Sequence, residues 1–196
     1  MSVDNYNQIS NLLDWSEDGT FFMLQILKRR KDQSEGDNQK SDNVCIKDYY
    51  IKSASHFEKI YPEIVKLCGF FNARAYIRLN KIFWDKAAME TLVITVEYLQ
   101  KGNSHNVKSA FATACGRRCY DPNKKWIIDI DEKPFDVDNL RDKINAYRPE
   151  GDKVIAEIPT KNGIHLIVRP FDARDFKVDF PEVDIHKCNP TLLYCP

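Results

Sequence analysis

The segment Trp126-Ile127-Ile128-Asp129-Ile130-Asp131 places two carboxylates one residue apart in an otherwise apolar run. A short run this rich in isoleucine reads as a buried strand. Side chains alternate faces along a strand, so Asp129 and Asp131 project to the same side, a few ångströms apart. Two like charges at the edge of an apolar strand are unfavourable unless a cation or hydrogen-bond donors lie between them. The first expectation is a divalent metal site. The plainer alternative is a strand running out into the polar loop Glu132-Lys133-Pro134.

Two further stretches carry residues able to do chemistry. Lys153–Pro159 and Ile164–Arg169 are apolar runs joined by Thr160-Lys161-Asn162-Gly163, and Asn-Gly between two such runs signals a hairpin. His165 lies two residues past this turn, where backbone amides, the Thr160 hydroxyl and the Lys161 ammonium could hold a phosphate. Farther on, Asp184 sits between Val183 and Ile185, again an acid on a strand edge. The six cysteines include Cys115-x3-Cys119 and Cys188-x6-Cys195, whose spacings miss the Cys-x2-Cys knuckle, so structural zinc is not expected.

The elements that must position these residues follow from periodicity. Ile9–Trp15 suggests a short helix, and Thr20–Leu27 a strand entering the basic cluster Lys28-Arg29-Arg30-Lys31. Residues 32–43 lose nearly all apolar character and read as a mobile loop within one domain spanning 1–196. Ser53–Leu67 has a helical pattern interrupted at Pro62. Arg74–Asn80 alternates as a strand with Arg74, Tyr76, Arg78 and Asn80 on one face. Asp85–Gln100 reads as a helix packed on the core through Ala88, Leu92, Val96 and Leu99, followed by a second helix at about 106–114. Between Lys101 and Lys125 six Lys or Arg face the single Asp121, the clearest basic patch in the chain. A helix capped by Asp138 follows the paired acids, and a last short strand covers Leu192–Tyr194. Interleaved helices and strands with hairpin signals give an α+β fold: a central mixed or antiparallel sheet with helices on its back.

Composition narrows the classes. With 196 residues, 43% of them hydrophobic, the chain can bury a substantial core. Its 29 basic and 29 acidic residues cancel, so any nucleic-acid contact must come from a local patch. No apolar run is long enough to span a bilayer, and the first residues lack the features of a signal peptide. A soluble, cytoplasmic protein with no membrane partner is the expectation.

The order apolar-Asp-apolar-Asp, then Thr-Lys-Asn-Gly-Ile-His on a hairpin, then apolar-Asp, resembles the archaeo-eukaryotic primase superfamily, especially its primase-polymerase catalytic module. The match runs from Trp126 to Tyr194. The resemblance implies that Asp129, Asp131 and Asp184 are catalytic acids holding two Mg²⁺ or Mn²⁺ ions. It implies that catalytic His165, with Thr160, Lys161 and Gly163, holds the incoming nucleoside triphosphate, with Lys187 a further phosphate contact. Members commonly carry a small hydroxyl residue two before the histidine, where this chain has Gly163. An RNA-recognition-like core preceded by an α/β portion is implied, and so is a DNA primase or polymerase activity on a single-stranded DNA template. With no helicase module in the chain, a separate replicative helicase is a candidate partner. Arg74, Arg78, Arg117, Arg118, Lys124 and Lys125 are then candidates for template or primer backbone contacts, and Tyr76 for stacking on a base.

Two rivals stand beside this reading. A metal-dependent nuclease would use Asp129, Asp131 and Glu157, although Pro159 stands where a Glu-x-Lys signature needs its lysine. A non-catalytic nucleic-acid-binding accessory protein could share the same sheet.

Overall fold

The computed structural model describes residues 2–33, 43–117, 121–131 and 136–196. Most of the polar loop expected over 32–43 therefore lies outside the described residues, although Asn43 already belongs to a strand. The chain is mixed α+β, and its described strands form two antiparallel sheets.

The first sheet is built on β2 (Thr20–Arg29), which pairs with β3 (Asn43–Ile51) on one side and β4 (Arg74–Ile77) on the other. β10 (Thr191–Cys195) continues the sheet beyond β4, and β1 (Val3–Asp4) closes that edge; β5 (Ile82–Phe83) pairs with the start of β2. As a central strand covered on both faces, β2 is apolar at six of its first eight positions. Phe22, Leu24 and Ile26 enter the main core, while Phe21 and Met23 pack on the opposite face against Ala87 and Cys115. The pattern analysis missed β3 because it is an edge strand with Lys47 and Asp48 mid-way, charges that suit an edge and blur its alternation.

Helix α2 (Ala54–Phe71) lies on this sheet through Phe57, Ile64 and Cys68. The Ser53 hydroxyl accepts the His56 backbone N–H at 3.1 Å, and Asn72 leaves the helix with φ 47°, in the left-handed region. The helix runs through Pro62 rather than breaking there: Pro62 and Glu58, whose carbonyl loses its partner, both face solvent. Near the N-terminus, α1 is Tyr6–Ser10, earlier than the Ile9–Trp15 pattern suggested.

Helix α3 (Trp84–Gln100) turns a different face inward from the one its periodicity suggested. Ala87, Glu90 and Ile94 are buried, whereas Leu92, Val96 and Leu99 are each more than half exposed. Its neighbour begins as a 3₁₀ segment, Ser104–Ser109, and becomes α4 (Ala110–Arg117), whose Ala110 and Ala114 are small enough to let the two helices pack closely around Ile94.

The second sheet comes from β6 (Trp126–Asp131), α5 (Val137–Ala146), β7 (Val154–Pro159), β8 (Gly163–Val168), α6 (Phe176–Asp179) and β9 (Asp184–His186), with strand order β7-β8-β6-β9. One face is a dry layer in which Ile128, Ile130, Leu166 and Val168 meet Leu140 and Ile144 of α5 and Phe176 of α6. Asp136, not Asp138, caps α5, accepting the Asn139 N–H at 3.0 Å. On the other face, Ile127, Ile158 and Ile167 join the main core beneath the first sheet.

The expected single central sheet is thus two sheets. After His186 the chain passes through Lys187–Pro190 and enters the first sheet as β10. Pro190 has no N–H to extend a ladder, which favours the switch there. Buried Asn5 ties the two together: its amide donates to Pro159 O at 2.8 Å and to Leu192 O at 2.9 Å. Among the described residues no helix is long and apolar enough to cross a membrane.

Candidate active site

β6 lies between β8 and β9, and the register sets its acids among partners. Asp129 is directly opposite His165 on one side and Asp184 on the other; Asp131 is opposite Gly163, and Ile127 is opposite His186. Residues directly opposite share a face with Cβ atoms about 5 Å apart. Asp129, Asp131, His165, Asp184 and His186 therefore stand on the face away from α5 and α6.

Asp129 is the centre of this group. His165 Nε2 lies 3.4 Å from its Oδ1, and His186 Nε2 lies 3.8 Å from its Oδ2. The hydrogen bond from the His165 imidazole first, with His186 and Arg29 adding to it, holds the Asp129 carboxyl below the ordinary value of 3.8, against the opposing effect of its partial burial. Asp129 is therefore ionised across the physiological range. Facing an ionised carboxylate, His165 keeps its proton on Nε2, so Nδ1 accepts the Thr191 hydroxyl 2.8 Å away. The Asn189 amide nitrogen, 3.0 Å from His186 Nδ1, fixes the same tautomer there. The partner of His165 is not visible as a motif, because Thr191 belongs to the other sheet.

The β7–β8 hairpin forms as expected, but not through an Asn-Gly turn of the kind with two positive φ angles: neither Asn162 nor Gly163 has one. Thr160–Asn162 make the loop, the Thr160 N–H donates to Gly163 O at 2.8 Å, and Gly163 is already in β8. Gly163 is required for close approach. A Cβ built there would lie 2.0 Å from Ile130 O and 3.1 Å from Asp131 Cα.

An open cleft with about 390 Å³ of empty space gathers most of these groups. Asp129, Asp131 and His165 line it from the second sheet, Thr160, Lys161 and Asn162 from the hairpin loop, and Arg29, Arg74, Tyr76 and Leu192 from the first sheet. Acids on one wall face cations on another. No family model matches this chain, nor does any curated protein or solved structure.

The remaining sequence-predicted residues divide by place. Asp184 is in register with Asp129, yet its carboxylate turns to Lys177 Nζ at 3.3 Å on a side chain that is 73% exposed. Among the described residues no three His, Cys, Asp or Glu side chains form a ready-made metal cage. Lys187 lies on the helix side, with Nζ 4.7 Å from the centre of the Trp126 ring, and is not brought to the cleft. Arg74 reaches the cleft wall but is buried and paired with Asp32 at 2.5 Å, so it lines the wall and is no open backbone contact. Arg78 donates to Cys188 O, and Arg117 binds Glu97 of α3 at 3.0 Å. Arg118 and Cys119 lie outside the described residues.

Lys124 and Lys125 line a second groove, of about 780 Å³, with Pro122, Asn123, Ile155, Arg169 and Pro170. It lies at the Trp126 end of the sheet, away from Asp131. Arg29, Asn162, His186, Thr191 and Arg169 were missed. Arg29 was signalled by its basic cluster at the end of β2, and His186 by alternation from Asp184; Arg169 carried no more than its charge.

Proposed function

We propose that the protein is a metal-dependent nucleotidyltransferase of the primase-polymerase kind, making or extending a nucleic-acid strand on a single-stranded template from nucleoside triphosphates. The observation that carries this reading is the charge layout of one cleft, with Asp129 and Asp131 on one wall and Arg29, Arg74 and Lys161 on the others. A nucleoside triphosphate with its cations needs both signs at close range. The strand path adds support: β-α-β-β-α-β with the fourth strand beside the first and the second beside the third is the split arrangement of ferredoxin-like folds, to which RNA-recognition-like cores belong.

The donors fit a hard dication. Asp131, exposed and with no ion pair among the described residues, and ionised Asp129 offer carboxylate oxygens from one strand face, and Asp184 can join them by leaving its solvent-exposed contact with Lys177. Magnesium or manganese held there would activate the attacking hydroxyl and neutralise the triphosphate and the leaving pyrophosphate. The chain's own groups do the positioning. Thr191 fixes His165 so that its Nε2–H points into the acid-lined space, where a phosphate oxygen can accept it. Lys161 and Arg29 offset triphosphate charge. Tyr76 offers a ring for a base. Gly163 lets the hairpin lie close enough to β6 for Thr160 and Lys161 to reach the same cleft. Lys124, Lys125 and Arg169 suit a template backbone, drawn from a separate helicase or from exposed single strands.

The nuclease reading loses its third acid. Glu157 is opposite Leu166, on the helix face of the sheet, where Arg141 of α5 pairs with it.

Nucleotide incorporation on single-stranded DNA tests the proposal, with and without a primer, using dNTPs or NTPs and Mg²⁺ or Mn²⁺. Synthesis that disappears in Asp129→Ala is the expected result. Template degradation dependent on the same acid would move the assignment to a nuclease, and no activity beside intact DNA binding would make it a binding protein.

A further inference from the structure

The groove at the Trp126 end of the second sheet is held more firmly, and made of more kinds of surface, than contact with a phosphate backbone requires. Two buried polar side chains fix the turn that carries its lysines. The Asp121 carboxylate, 1% exposed, accepts the backbone N–H of Lys81 at 2.9 Å and that of Asn123 at 2.8 Å. Buried Asn80 donates its amide to Lys125 O at 2.9 Å and accepts the Lys125 N–H at 2.6 Å. Arg169, just past β8, is anchored as well: its backbone N–H donates to Lys153 O at 2.9 Å and its Nη1 to Asp152 O at 3.2 Å. Ile155 adds an apolar element. Val154 is opposite Val168 and Ala156 is opposite Ile167, so Ile155 is an extra residue outside the ladder, a bulge in an edge strand. Val154 packs in the helix-side layer and Ala156 on the main core, whereas Ile155 joins neither and is 38% exposed. With the rings of Pro122 and Pro170 it lines the groove with apolar surface among Lys124, Lys125 and Arg169.

We propose that this groove holds unpaired bases, with their phosphates on its cations, and thereby selects single strands over duplex. Cations alone would serve the backbone of either. A duplex keeps its base faces inside its own stack and offers the bulged isoleucine only sugar and phosphate; an unpaired base presents an apolar face to it. The two kinds of surface divide the work. Lys124, Lys125 and Arg169 supply affinity that falls with salt, and Ile155 with the two prolines supplies a contact that salt does not screen. Because buried groups fix the turn, the groove is ready-shaped and little ordering accompanies binding. As the template site of the proposed reaction it rests on the nucleotidyl-transfer reading; as a single-strand site it stands without it.

The test measures binding of the full chain in EDTA, without nucleotides, by fluorescence anisotropy. One labelled DNA sequence is presented in three forms: a single strand, its duplex, and an abasic strand of the same length. The single strand should bind about tenfold or more tighter than the other two. Ile155→Ser, at an exposed bulge, should keep the circular dichroism spectrum and melting temperature and weaken single-strand binding by about three- to tenfold. Its slope of log affinity against log salt should match that of the wild type, and its affinity for duplex and abasic strand should not change. Ile155→Met, which returns apolar bulk, should recover single-strand affinity. Lys124→Ala should instead weaken all three forms alike and lower the salt slope by about one. Equal wild-type affinity for the three forms, an Ile155→Ser loss that is the same on the abasic strand, or displacement by oligoglutamate as effective as by unlabelled strand would each overturn the proposal. Absence of nucleotide incorporation beside the expected binding results would remove the nucleotidyl-transfer reading and leave the groove a single-strand site.

Discussion

The two ends of the β7-β8-β6-β9 sheet differ in charge and in how they are made. At one end Asp129 and Asp131 are enclosed by the hairpin loop and by Arg29, Arg74 and Tyr76 of the first sheet. At the other, Lys124, Lys125 and Arg169 line a groove from loop and strand ends belonging to the same half of the chain. The acidic end is a product of tertiary assembly: Thr191 of the other sheet orients His165, and histidines of the two neighbouring strands flank Asp129. At the basic end Asn80 pins the Lys125 backbone, and Lys124 and Arg169 are exposed to solvent. Substitutions at the first should act through orientation, and those of the cations at the second through charge alone.

The sharpest way to break this contrast is to remove the acids. Asp129→Ala and Asp131→Ala should each lower nucleotide incorporation by about a hundredfold or more. Their stabilities should differ: Asp131→Ala should leave the melting temperature unchanged, whereas Asp129→Ala should lower it slightly, because it removes the carboxylate that His165 and His186 face. Gly163→Ala comes next, with the added methyl forced against the β6 backbone. A loss of about 1–3 kcal/mol in denaturant unfolding is expected, together with loss of incorporation; an unchanged midpoint would show that the strands can part without cost. At the basic end, the pair Lys124→Glu and Arg169→Glu should weaken single-stranded DNA binding by about tenfold and make its salt dependence shallower, with kcat on saturating template retained.

Smaller effects separate orientation from charge more finely. Thr191→Val removes the hydroxyl that His165 Nδ1 accepts, and should raise the nucleotide KM a few-fold with template affinity unchanged. The smallest effect is on stability against pH. Asp129 has a lowered pKa in the folded chain, so its contribution is complete above the unfolded carboxylate value near 3.8 and is lost as pH falls through the lower folded value. Asp129→Asn should flatten the stability curve in that acid window and nowhere above it, as followed by thermal melts across pH.

The acids, the hairpin and its histidine were legible because strand periodicity acts over neighbouring residues. Alternation alone places Asp129 and Asp131 together, and the Thr160–Gly163 stretch marks the turn. Lys187 failed for the same kind of reason: alternation from Asp184 points it to the opposite face. Arg74 and Arg117 could not be placed from sequence, because pairing with Asp32 and with Glu97 depends on residues forty-two and twenty positions away. The fold class could be read, and the division into two sheets could not, since it turns on where four residues before Thr191 carry the chain. α3 shows the limit of the hydrophobic stripe: its presence was correct, and the face it turns inward was decided instead by the small residues of α4.

Asn5 bonds to a carbonyl 187 positions away, and β10 completes a sheet whose other members are laid down far earlier in the chain. Such a pairing carries a large loop-closure cost and should form late. Before it does, β2, β3 and β4 can already associate and the β7–β8 hairpin can already close, yet His165 lacks Thr191 and the cleft has no floor. Folding of this chain should therefore show a slow phase in which secondary structure is nearly complete while nucleotide binding is still absent, and competence should arrive only with the closing strand.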